Sequence, residues 1–509
     1  MSDHKIQNIV IVGGGTAGWM AAAAMVRLLD QSINITLVES EEIATVGVGE
    51  ATIPPIIAYN KMLGINEDEF LAATKATFKL GIEFRDWARK GDVYFHPFSV
   101  HGVDMKGIDF HNYWLHEQAG LRERAGGGQY PIQQYSLSAV AASHGKFALP
   151  DPNPRSLLSH LRYAYHFDAT LYARYLRAYA QARGVQRVEG KIQRIAQAPE
   201  SGHIESLQLD GDRQVRGDFF FDCTGFRSLI LGSVLGVPFV DWSHWLPCNT
   251  ALAVPCRHAG PLTPYTRASA RTAGWQWRIP TQQRTGNGHI YCREFINDDE
   301  ATAMLLANLD GEALAEPRQI RFTAGHRGTF WSKNCIAIGL SAGFLEPLES
   351  TSIYLIQEGI SRFISLFPDA TLPDVVRDEY NRHMRTEFEQ VRDFIILHFT
   401  ATGRDDTPFW NYCRTMSIPD TLRHKIELFR TASRVFRYEE ELFSKPSWVA
   451  VLLGQNVVPR QYDPIVASLP HAMVHESLES MRLAMDAAAK AMPTHEEFLR
   501  RYCPSGNAQ

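Results

Sequence analysis

Cysteine is scarce and scattered in this chain. Its seven cysteines form no C-x-x-C pair and make an odd total, which excludes a disulfide framework and predicts reduced thiols and no metal site. Long apolar runs are missing as well. The longest near the start covers residues 19–26, far short of the roughly 18 residues a membrane span needs. The polar opening, residues 1–8, lacks the shape of a signal peptide. No block of one charge stands out: 51 Lys and Arg face 56 Asp and Glu, a net charge of -5. Nucleic acid and membrane are therefore not expected partners. There is no internal repeat and no low-complexity segment. The 509 residues are 45% hydrophobic and 21% charged, which excludes a disordered chain. A cytoplasmic protein with a sizeable core is expected.

The N-terminal residues carry the first chemical signal. Asn8 to Val12 (NIVIV) is β-branched and apolar, so it predicts a buried strand. Gly13, Gly15 and Gly18 follow in G-x-G-x-x-G spacing, then a helical run over residues 19–29. A second strand over residues 33–38 ends in Glu39. Strand, glycine turn, helix, strand and acid make a complete dinucleotide-binding βαβ unit. Its glycines let the backbone approach a pyrophosphate, and the helix start presents unpaired N–H groups to it. Glu39 can accept from the ribose hydroxyls and would repel a 2′-phosphate, which favours FAD or NAD over NADP.

Three later fragments favour FAD. Residues 46–54 form a glycine-containing loop where a doubly wound NAD domain would place its next repeat. Short β-like runs over residues 185–222 end in Phe219-Phe-Phe-Asp222-Cys-Thr-Gly225, a return strand entering a C-T-G turn. Cys335-Ile-Ala-Ile-Gly339 is another strand entering a glycine turn. Pieces this far apart converging on one nucleotide suit FAD. The candidate cofactor residues are Gly13, Gly15, Thr16, Ala17, Gly18, Glu39, Val48, Gly49, Ala51, Val188, Gly339 and Leu340.

Residues 274–280 contain W-x-W-x-I-P, formed by Trp275, Trp277, Ile279 and Pro280. With Gly13-Gly-Gly-Thr-Ala-Gly-Trp19, Thr77-Phe-Lys79-Leu-Gly-Ile-Glu-Phe84 and Gly343-Phe-Leu-Glu-Pro-Leu-Glu349-Ser-Thr-Ser352, the chain resembles the flavin-dependent halogenases of the tryptophan-halogenase family. The resemblance runs from Asn8 to about Gly454.

The resemblance implies an enzyme that uses reduced FAD, oxygen and a halide, chloride or bromide, to make hypohalous acid and halogenate an indole-like arene. Lys79 matches the family lysine that holds the electrophile, and Glu349 the glutamate that stabilises the cationic arene and takes its proton. Outside the motifs, Lys79 would read as a solvated helix residue and Glu349 as the cap of a helix starting near Ser350 or Thr351. The amides of Thr351 and Ser352 match the family's halide site, with Ser352 standing where glycine is common. Residues 46–54 match the strap against the flavin ring. His96 and Phe98 match an H-x-F pair flanking the arene, and Trp448 matches the ring that closes the sandwich. No site for NADH is read, so a separate flavin reductase is expected to supply FADH2.

The fold class expected is α/β: an FAD-binding, Rossmann-like body over residues 1–370 with a small β region, then a mainly helical substrate-covering region over 371–509. Helices are expected over residues 374–399, 420–443 and 475–491, with a loop over 459–470. The chain is expected to be a monomer or a homodimer. A flavin-dependent aromatic monooxygenase, which delivers hydroxyl in place of halogen, is the alternative reading.

Overall fold

A computed structural model describes residues 5–42, 49–123 and 130–502. The fold consists of two units interleaved along the chain. One comprises residues 1–76, 167–249 and 321–389, the other residues 77–166, 250–320 and 390–509. These breaks differ from the break expected after residue 370. Among the described residues no helix is long and apolar enough to cross a membrane, and no group of three or more His, Cys, Asp or Glu side chains could hold a metal ion.

The first unit is built on a six-stranded sheet. Its order is Trp331–Ser332, Cys335–Ala337, Phe219–Asp222, Asn8–Val12, Asn34–Glu39, Gln186–Glu189. Asn8–Val12 lies at its centre, parallel to both neighbours. Both of its faces are covered, which is why NIVIV shows no polar alternation. The helix Thr16–Leu28 packs on it, and its Ala21, Ala22, Ala23 and Ala24 are fully buried all round the helix. Against this helix lie Ala169–Gln181 and Ser352–Ser365. A small antiparallel sheet, Ile192–Gln197, Ile204–Leu209 and Gln214–Arg216, adds Ile204, Leu207 and Leu209 to the same core.

The second unit holds a mainly antiparallel sheet. Six of its strands run in the order Thr250–Cys256, Thr285–Tyr291, Gly274–Pro280, Thr266–Arg271, Gly81–Arg85, Val93–Pro97. All seven residues of Gly274–Pro280 are buried. The W-x-W-x-I-P tryptophans are thus core residues of this sheet.

Three C-terminal expectations change. The second helix spans Asp420–Ala432, ending eleven residues before Phe443. Ser433 stops it: its backbone turns left-handed (φ 53°), and its hydroxyl bonds Asn112 Oδ1 at 2.5 Å. The loop over 459–470 contains a short helix, Pro464–Ala467. The last expected helix starts earlier, at His471, and a further helix, His495–Tyr502, follows it.

Candidate functional site

The glycines of the first motif have distinct duties. Gly13 has φ 109°, and a Cβ there would stand 2.3 Å from the Cys223 carbonyl oxygen. A Cβ on Gly18 would stand 1.8 Å from the Gly13 oxygen. Both are required by the fold itself. Gly15 is not: φ is -75°, and a Cβ there meets nothing within 4 Å among the described residues. It caps the helix Thr16–Leu28 with no side chain over the first-turn amides. Open space above an uncapped helix start is what a nucleotide pyrophosphate occupies, so these residues fit FAD. Gly15→Val is therefore expected to leave folding intact and weaken FAD at least about tenfold. Titration of FAD into folded variant checks this; unchanged affinity would place the nucleotide elsewhere.

The later glycine turns close on this cradle. A Cβ on Gly339, whose φ is 70°, would stand 2.9 Å from the Ala17 Cβ. Ser341 Oγ donates to the Gly225 carbonyl at 3.1 Å. Asp222, fully buried, builds the C-T-G turn by accepting from Thr224, Ile230 and Leu231 amides. Val188 pairs with Val38 at the sheet edge. Arg187 Nε donates to Glu39 Oε1 at 2.5 Å, which leaves Oε2 as the acceptor not engaged by that bond. Gly49 and Ala51 sit on the strand Gly49–Ala51, Leu340 in the turn Gly339–Ser341. Val48 lies outside the described residues.

Further along the first unit, Glu349 ends the turn Pro347–Glu349 and is fully buried. Ser350 is left-handed (φ 60°) and the helix begins at Ser352, with Thr351 as its cap. The capping role considered for Glu349 thus falls to Thr351. Its side chain makes no cap bond, and among the described residues its buried hydroxyl has no partner. A buried donor beside first-turn amides suits a small anion.

The second unit gathers the arene candidates. Lys79 ends the strand Thr77–Lys79 and is fully buried, which corrects the picture of a solvated helix residue. Two residues back, Thr77 Oγ1 donates to the Pro280 carbonyl at 2.6 Å, so W-x-W-x-I-P anchors this strand. With that proton committed, His166 Nδ1–H must donate to Thr77 Oγ1 (3.1 Å), and Nε2 accepts from Thr266 (2.9 Å). Only a neutral ring does both. Burial, helped by the nearby Lys79 ammonium, holds His166 well below the usual imidazole range. Antiparallel pairing sets Ile82 opposite His96, and the Phe98 amide donates to Leu80 O at 3.0 Å. Lys79 Nζ consequently lies 5.1 Å from the Phe98 ring centroid.

Beside this pair is an aromatic cluster. Phe394 and Phe443 stack at 3.8 Å, and Trp448 meets Phe394 edge-on at 5.0 Å. His96 contacts Phe394 and Phe443 at 5.6 and 6.3 Å. Trp448 and His96 thus share Phe394 as a common neighbour.

Residues 8–471 match the family described as tryptophan halogenase. The chain belongs to this family. It is an enzyme of the flavin-dependent halogenase class. A tryptophan 6-halogenase of Streptomyces toxytricini, SttH, is 34% identical over 98% of both chains. The tryptophan 7-halogenase RebH of Lentzea aerocolonigenes is 34% identical over 98% of this chain and 99% of its own. Among solved structures, Xcc4156, a flavin-dependent halogenase from Xanthomonas campestris, has a TM-score of 0.94 at 46% identity, over 99% of this chain and 100% of that one.

The halogenase holds two residues whose parts its sequence leaves hidden. Phe394 sits in the helix Asp374–Thr400, where its spacing looks like any core position. His495, in the unforeseen last helix, accepts from the Phe78 amide at 3.1 Å and bonds Leu262 O at 3.0 Å. It thereby braces the strand of Lys79 with a neutral ring.

Burial pushes His495 down to about 4 from 6.5. The folded value lies below the unfolded one, so the neutral ring stabilises the fold above pH 6.5. That contribution, roughly 3 kcal/mol, is lost as pH falls toward 4. Melting temperature should fall across that window in wild type and fall less steeply in His495→Gln. Parallel profiles would remove His495 from this role.

Proposed function

We propose that this halogenase halogenates an indole-like arene by electrophilic substitution, with Lys79 holding the electrophile and Glu349 accepting the arene proton. When bound, reduced FAD from a separate reductase would pass two electrons to oxygen, which would take two more from the halide to give hypohalous acid and water. Halide, chloride or bromide, is held by the amides of Thr351 and Ser352 and by the buried Thr351 hydroxyl. Lys79 hydrogen-bonds the hypohalous acid through its ammonium and raises its electrophilicity. His96, Phe98 and Trp448 hold the arene by their ring faces. Electrophilic attack puts positive charge on the arene, which the Glu349 carboxylate stabilises before taking its proton. One observation carries this reading above the rest: Lys79 is buried with its Nζ over the ring of Phe98.

The substrate follows from the stretch before Trp448. Phe443 is buried against Phe394, and Phe436 is half exposed. The nearby Lys425 and Glu441 satisfy each other. Phenyl rings cannot bond an ammonium or a carboxylate, and burying those charges unpaired costs several kcal/mol. Indole brings neither. It should therefore show a higher kcat/KM than free tryptophan, the substrate for which SttH and RebH are named. Both are assayed with bromide and reduced FAD held constant, and a clear preference for tryptophan would overturn this assignment.

A further inference from the structure

An indole ring that lines a halogenating site is itself open to halogenation. Trp448 is such a ring. It is only 3% exposed, and among the described residues its buried Nε1–H has no hydrogen-bond partner. Over its face stands the Lys425 ammonium, 4.3 Å from the ring centroid. The same Nζ lies 5.1 Å from the centroid of Tyr438, another electron-rich ring.

Lys425 is fixed in this place. Glu441 grips it through both carboxylate oxygens, at 2.5 and 2.6 Å, and the two side chains are 9% and 6% exposed. Lys425 comes from the helix Asp420–Ala432, and Glu441 from the stretch leading into Lys445–Gly454, the helix that bears Trp448. A buried ion pair adds no stability that apolar residues of similar volume could not supply. Its placement over two ring faces suggests another use. A cation there draws on the π-density of the ring and opposes the positive charge that electrophilic attack would create. The N–H acts in the same direction, because no acceptor among the described residues enriches the ring through it.

We propose that Lys425 shields Trp448 from the electrophile the enzyme itself makes. This rests on the reading of the protein as a producer of hypohalous acid. In the suppressed reaction an indole carbon bonds the halogen as the O–X bond breaks. The oxygen leaves as hydroxide, and the ring proton joins it as water. The cationic ring formed on the way would lie beside the ammonium. Neutral side chains at position 425 would remove that opposition.

The test compares wild type with Lys425→Gln, Lys425→Met and Lys425→Arg, all full-length. In one arm, limiting hypobromous acid is added to the folded protein without flavin. In the other, the protein turns over with reduced FAD, oxygen and bromide but no arene, with added indole as a parallel control. Peptide mass mapping reads bromine on Trp448, and circular dichroism identifies the variants that keep the fold. In both arms the Gln or Met variant should gain about tenfold more bromine on Trp448 than wild type, while Arg, which keeps the cation, stays near wild type. Equal labelling of wild type and the neutral variants by the reagent would show that burial alone protects the ring, and the proposal falls. If the reagent arm shows the difference but wild type brominates no added indole, the halogenase reading fails. Shielding from a self-made electrophile then falls with it, although the effect of the ammonium on the ring stands.

Discussion

Lys79→Ala should form halogenated product about 10²–10⁴-fold more slowly than wild type and still bind FAD with its normal affinity. The side chain is buried at the end of its strand, beside Phe98. The strand is held by backbone pairing to Ala164, Tyr165 and His166, by the Thr77 hydroxyl on Pro280 O and by the Phe78 amide on His495. Truncation therefore removes the ammonium and leaves its support standing. The glycine cradle is in the other unit and makes its own contacts. Product formation is followed by mass spectrometry and FAD affinity by titration. A variant within a few-fold of wild type in product formation would end the assignment of Lys79.

Glu349→Gln should slow product formation by about 10² or more. The amide keeps the size and shape of the carboxylate, so the buried position stays filled. It cannot take a proton from the arene, and it offers no negative charge to a cationic ring. Because the cap position of the following helix is Thr351 and not Glu349, the substitution should leave that helix and the fold in place. Comparison of product formation with melting temperature separates the two roles. A loss of stability at an unchanged rate would leave Glu349 a structural residue.

What the sequence reveals follows the range of the forces involved. The first βαβ unit is legible residue by residue, because its glycines, its apolar strand and its terminal Glu39 lie close together in the chain. The later cofactor turns are legible as strands entering glycines. Their convergence depends on strand pairings across more than a hundred residues, such as Phe220 with Cys335. The motifs of Lys79 and Glu349 carry the family resemblance but not the conformation: Lys79 lies buried on a strand, and the helix after Glu349 starts at Ser352. Trp275 and Trp277 form a recognisable signature whose physical role is remote from it, since the sheet they fill carries Pro280 to Thr77. Ser433 ends a helix that its apolar spacing would continue, because a hydroxyl bond to a residue 321 positions away outweighs local propensity. Phe394 and His495 act through tertiary neighbours, and periodicity cannot name a neighbour.

Halogen, not hydroxyl, is expected on the arene. Wild-type protein supplied with reduced FAD, oxygen, bromide and indole tests it directly by mass spectrometry of the product. Bromoindole, with the isotope pair of bromine and a yield that follows bromide concentration, is the predicted result. Hydroxylated indole formed equally well without bromide would contradict it.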